Sequence, residues 1–221
     1  IALKAATLHP DSGDAYRCLG EAQKAASRRS DAEATFRRAV ILNPEDWRNH
    51  AALADAILMR NKTDEAVKHY REAVRLNPAD SGLRESLGRA AMAGARYGEA
   101  ARAYVDAMDM ERKGKSNWSR MDTLTLSAID ALGRAAVALR DGQETREDVY
   151  EANKRSVEVT DALLEIPAVA DATPRTDLAM SYRAAAYGLL GQSSASELAA
   201  LRKTGGSDAA DAAVFREQAR R

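Results

Sequence analysis

Asp14 to Pro44, DAYRCLGEAQKAASRRSDAEATFRRAVILNP, and Arg48 to Pro78, RNHAALADAILMRNKTDEAVKHYREAVRLNP, align end to end at an offset of 78 − 44 = 34 residues. Leu19 pairs with Leu53, Gly20 with Ala54, Ala32 with Ala66, Phe36 with Tyr70, Ala39 with Ala73, Leu42 with Leu76, and Asn43-Pro44 with Asn77-Pro78. Every match keeps size and polarity. The small residues predict close helix crossings, and the aromatic predicts a filler between neighbouring hairpins. Proline then stops the second helix and turns the chain. Each copy reads as two short amphipathic helices, neither stable alone, whose core forms by stacking.

A third copy runs from Ser81 to about Met110, with Leu87, Gly88, Ala100, Tyr104 and Ala107 in the same columns. Its proline position holds Arg112, which predicts a longer or redirected exit, with Met110 to Asn117 as a polar connector. Counting backwards, Pro10, Leu8 and Ala5 extend the register, so Ile1 to Leu8 reads as the tail of a second helix. The chain opens without methionine or leader, and a longer parent protein is the expectation. A 34-residue period with this order of small, aromatic, small and proline positions resembles the tetratricopeptide repeat. The resemblance implies an all-α fold, a right-handed α-solenoid of antiparallel helix pairs. We expect a single domain over 1–221: a tail at 1–10, regular repeats at 13–46, 47–80 and 81–114, and degenerate hairpins with a capping helix over 117–221.

Within that register, Asp14 to about Ala26 is a first helix. Ser30-Asp31-Ala32-Glu33 reads as a capping box for the second, and Thr63-Asp64-Glu65 as a weaker copy. After Trp118 the period is lost but helical spacing persists, predicting a helix over Ser119 to Arg140 ended by Asp141-Gly142. A partner capped by Thr145 ends in DALLEIP, Asp161 to Pro167. A last pair spans Leu178 to Leu190 and Ser194 to Lys203, and a polar-faced helix from Ser207 serves as the cap.

The balance of charge is even, 33 basic against 33 acidic residues, which argues against a general binder of nucleic acid or anionic membrane. No apolar run of about 18 residues is present to span a bilayer. Cys18, the single cysteine, excludes an internal disulfide and reads as a small packing residue. His9, His50 and His69 lack the three-or-four spacing that sets two ligands on one helix face, so no metal and no cofactor is expected. Nucleophile-elbow, phosphate-loop and dinucleotide motifs are missing, and so is the strand pattern that would carry them. The acidic pairs Glu144/Glu147 and Asp208/Asp211 fall in helical first turns, where carboxylates suit the helix dipole. Arg28-Arg29 and Arg37-Arg38 read as solvated faces. Trp47 and Trp118 begin helices; packing is the expected role of both, with contact to a partner the alternative.

The resemblance implies where a partner lies, since in this family the first helices line a concave groove. Its groove-facing columns fall on Arg17, Cys18, Glu21 and Lys24, then Arg48, Ala51, Ala52, Asp55 and Leu58, then Glu85, Ser86, Arg89 and Met92. The set is mixed in charge with apolar positions at Leu58 and Met92, which suits a peptide or helix carrying an apolar anchor and charges of both signs. The cochaperone subtype, which grips a C-terminal carboxylate, is disfavoured. Its places hold Arg17 and Glu21, Ala52, and Gly82 and Ser86 here, and Glu21 repels a carboxylate. The expected function is a non-catalytic protein-interaction scaffold. Its alternatives are the recognition arm of a larger glycosyltransferase, kinase or protease, and self-association through exposed hairpin faces. Alanine and arginine richness points to a bacterial source; the sequence leaves cytoplasm and periplasm open.

Overall fold

The computed structural model describes residues 1–113 and 118–143, together with Ala152, Lys154 and Arg155. Every element among the described residues is an α-helix. The chain divides into two compact units, Ile1–Ala95 and Arg96–Arg221, each considered by itself.

The first unit holds α1 (Ala2–Leu8), α2 (Gly13–Ala25), α3 (Arg29–Leu42), α4 (Trp47–Leu58), α5 (Thr63–Leu76) and α6 (Ser81–Ala93). Helices α2 and α3 pair as one hairpin, α4 and α5 as the next, and α3 packs on α4 as α5 packs on α6. The small and aromatic columns become the core. Ala32, Phe36, Ala39, Ala54, Ala66 and Ala73 are fully buried, and Tyr70 and Leu53 nearly so. Phe36 and Ala32 of one hairpin cluster with Ala52, Leu53, Ala56, Ile57 and Ala66 of the next, the inter-hairpin filling that the aromatic column predicts. Buried Asn49 adds a polar tie, its amide donating to the carbonyls of Ala39 and Asn43 at 3.2 and 3.1 Å. It closes the end of α3 onto α4.

The capping pattern differs from the one expected. Capping recurs at the 34-residue period, but on the first helices. Ser12 Oγ accepts from the Ala15 N–H, Asp46 from Arg48 N–H, and Asp80 from Gly82 and Leu83 N–H. Helices α3 and α5 start at Arg29 and Thr63 without a side-chain cap, so neither Ser30 nor Thr63 acts as one. The turn geometry gives the reason. Ser27 and Asn61 take left-handed φ values of 59° and 58°. Around them the N–H of Ser27 bonds to Lys24 O and that of Arg28 to Gln23 O, and one repeat later Asn61 and Lys62 bond to Leu58 O and Ile57 O. This double closure ends one helix and feeds straight into the next. Ser30 is already inside α3, and Glu33 is free to reach elsewhere.

The second unit contains α7 (Tyr97–Lys113) and α8 (Trp118–Arg140), packed against each other. Without proline at 112, α7 runs on to Lys113, so Met110 to Lys113 is helix and not connector. Thr125 bridges the pair, donating to Met121 O at 2.7 Å with its oxygen 3.0 Å from Met108 Sδ. Gly142, at φ 73°, ends α8 as the Asp141-Gly142 signal predicts. Buried Asp109 gathers Arg112, Lys113 and Arg155 at 2.6 to 2.8 Å. Burial pushes its carboxyl up, but Lys113 and Arg112 hold it below the usual range. The helices expected after Thr145, the pair after Pro174, the cap from Ser207 and the acidic pairs Glu144/Glu147 and Asp208/Asp211 lie outside the described residues.

Candidate functional site

The nine predicted groove residues all fall in the first unit, three to a helix: Arg17, Glu21 and Lys24 on α2, Arg48, Asp55 and Leu58 on α4, and Glu85, Arg89 and Met92 on α6. α2 packs directly on α4. Arg48 and Arg89 are exposed; the other seven are half-buried. Most of the charges are engaged with a neighbour on their own helix. Arg17 pairs with Asp14 and Lys24 with Glu21, both at 2.7 Å, and Arg89 donates to Ser86 Oγ at 2.9 Å. Arg48 lies 3.6 Å from Asp46 with its guanidinium 5.0 Å from the Trp47 ring centre. Such exposed neighbours contribute at most about 1 kcal/mol each, so their charges remain exchangeable with those of a partner.

Asp55 is different. It accepts a hydrogen bond from the Tyr70 hydroxyl, which α5 carries through the core to the first-helix layer. Burial, the Asp55 charge and that bond together push the Tyr70 phenol far above its usual value, while Arg89 and a hydrogen bond from Ser86 oppose the shift. Thus α4, α5 and α6 meet at one phenolic oxygen, and Asp55 is a structural acceptor as well as a surface charge. Sequence columns show Tyr70 only as a match to Phe36; the hydroxyl that Phe36 lacks was the available signal. Ala52 is buried in the core and Cys18 is exposed, the reverse of a packed cysteine.

Two further groups escape the sequence reading. Glu33, with its side chain only 5% exposed, receives Arg37 at 2.9 Å, Arg60 at 2.5 Å and Lys62 at 3.1 Å, and Arg37 continues to Glu65 at 2.5 Å. Arg37 therefore bridges α3 and α5 and is not a solvated face. His50 and His69, set aside by spacing, meet across the α4–α5 hairpin.

A family model for the tetratricopeptide repeat matches residues 17–81 and 52–117. Two crystal structures of MamA resemble the chain at TM-score 0.53, with 16% and 17% identity. Each covers 75% of this chain, and the match covers 88% and 83% of theirs. The structure of Pseudomonas aeruginosa pilF aligns over 95% of this chain and 97% of its own at 16% identity and TM-score 0.46. At these identities the likeness to MamA is one of fold. No curated protein matches the sequence.

Proposed function

We infer that this chain, whose residues 17–117 are tetratricopeptide repeats, is a protein-interaction scaffold that holds a peptide or helix against the face formed by α2, α4 and α6. One observation carries the reading. At the repeat columns Ala32, Phe36, Ala39, Ala66, Tyr70 and Ala73 of the second helices are buried in the core, whereas the first helices keep Arg48 and Arg89 exposed and leave Leu58 and Met92 half-exposed among charges of both signs. A surface of this kind binds through an apolar anchor, with charges setting register and choice of partner. We read it as a binding module with no chemistry of its own.

Affinity capture with the wild-type chain and an Arg48→Glu/Arg89→Glu variant tests this. Each change is expected to cost about 0.5 kcal/mol or less in stability, since both side chains are exposed. A protein retained by the wild type and lost by the folded variant supports the face as the working surface. Equal retention by both forms contradicts it. Asp55 is left unaltered because it serves Tyr70.

A further inference from the structure

Nineteen residues apart, His50 and His69 cannot share a helix face, but the hairpin brings them together by another route. Their Nδ1 atoms stand 3.3 Å apart, with ring centres separated by 5.5 Å and planes tilted by 35°. His50 is buried at 7% exposure and His69 is half-buried, so the pair is reached from the His69 side. The neighbours fix the His50 tautomer. Its Nε2 lies 2.9 Å from the Pro44 carbonyl, which can only accept, so Nε2 carries a proton, and in the neutral ring Nδ1 carries the lone pair. One period on, Arg84 donates to the carbonyl of Pro78, and a guanidinium can only donate. The repeat position therefore supplies a donor to the proline carbonyl, and His50 does so while presenting Nδ1 to His69.

We propose that His50 and His69 bind a borderline divalent transition-metal ion such as Zn²⁺ through their two Nδ1 atoms. Nitrogens about 2.0–2.1 Å from a tetrahedral zinc lie roughly 3.3 Å from one another, which is the separation here. A second ring nitrogen donating to a backbone carbonyl is the arrangement that orients metal-bound histidine. Imidazole favours zinc, copper and nickel over calcium or magnesium. Glu65 and Glu72 flank His69 on α5, but Arg37 holds the first at 2.5 Å and Arg75 the second at 2.6 Å, and Arg37 itself is paired with Glu33. Among the described residues no cluster of three or more ligating side chains forms. The protein thus supplies two ligands, and water or an incoming side chain completes the shell. Such a site is exchangeable and does not hold the fold together.

The test is calorimetric titration of the full chain with Zn²⁺ near neutral pH, in a Cys18→Ser background that removes the exposed thiol. Saturable one-to-one uptake is expected. His69→Gln should weaken it about tenfold or more, and Mg²⁺ should give none. Imidazole ¹⁵N–¹H spectra of the Cys18→Ser chain supply a check that needs no histidine variant: zinc should shift both Nδ1 resonances and leave the His50 Nε2–H in place. Absence of saturable uptake, uptake undiminished by His69→Gln, or shifts confined to Nε2 would overturn the site, leaving an N–H···N hydrogen bond.

Discussion

Gly20→Leu is expected to destabilise the first unit by about 2 kcal/mol or more, through overpacking at a close helix crossing. A Cβ alone, built at Gly20, would lie 2.5 Å from Phe36 Cε1 and within 2.8 Å of two further ring atoms. The ring cannot swing away. Phe36 is fully buried, in a cluster with Ala32, Leu53, Ile57 and Ala66, so α2 must move off α3 or the ring must push into the next hairpin. Gly133 is the internal control. It also sits mid-helix, but a Cβ there meets nothing within 4 Å, so Gly133→Ala should be neutral or stabilise by up to about 1 kcal/mol. Denaturant unfolding of both variants checks the pair of outcomes; an unchanged midpoint for Gly20→Leu would show that the hairpin register is wrong.

Glu33→Gln is the second large effect, and it carries a pH signature. Burial pushes the Glu33 carboxyl up, but hydrogen bonds from Arg37, Lys62 and Arg60 outweigh it and hold the group at about 2, well below the 4.5 of an ordinary glutamate. A carboxyl with a lowered folded-state value stabilises the protein above its unfolded value and ceases to do so as pH falls through the folded one. The loss therefore falls between about pH 4.5 and pH 2. Full conversion of that shift gives roughly 3 kcal/mol. The three cations are partly exposed, at 38 to 44%, which reduces the effect to about 2 kcal/mol. Near neutral pH the glutamine variant should lose about that much, because three cations remain around a neutral amide. Unfolding free energies measured across this range should fall less steeply for the variant than for the wild type, and parallel curves would remove Glu33 from the account.

Residues repeated at the period were legible because packing demands the same volume in each hairpin: Gly20 against Phe36, Ala32 and Ala66 at crossings, Tyr70 between neighbours. Interactions that the repeated columns do not share were not. Asn49 occupies a place held by Ala15 one repeat earlier and Leu83 one repeat later, so no column announces its bonds to the end of α3. The His50–His69 pair and the Tyr70–Asp55 bond join residues 19 and 15 apart on two consecutive helices, where spacing rules for a single helix are silent. The caps at Ser12, Asp46 and Asp80 were legible, since a short polar residue recurs there every 34 positions. For the candidate site, the columns placed every residue on its helix, yet they did not separate Asp55, which the fold uses, from Arg48 and Arg89, which it leaves exposed.

The most direct test of the central reading is hydrogen exchange of the chain with and without its captured partner. A partner lying on the first-helix face should protect amides and slow opening in α2, α4 and α6 while leaving the exchange of α3 and α5 nearly unchanged. Protection concentrated on α3 and α5, or absent from the first unit, would contradict the account and place the working surface elsewhere in the chain.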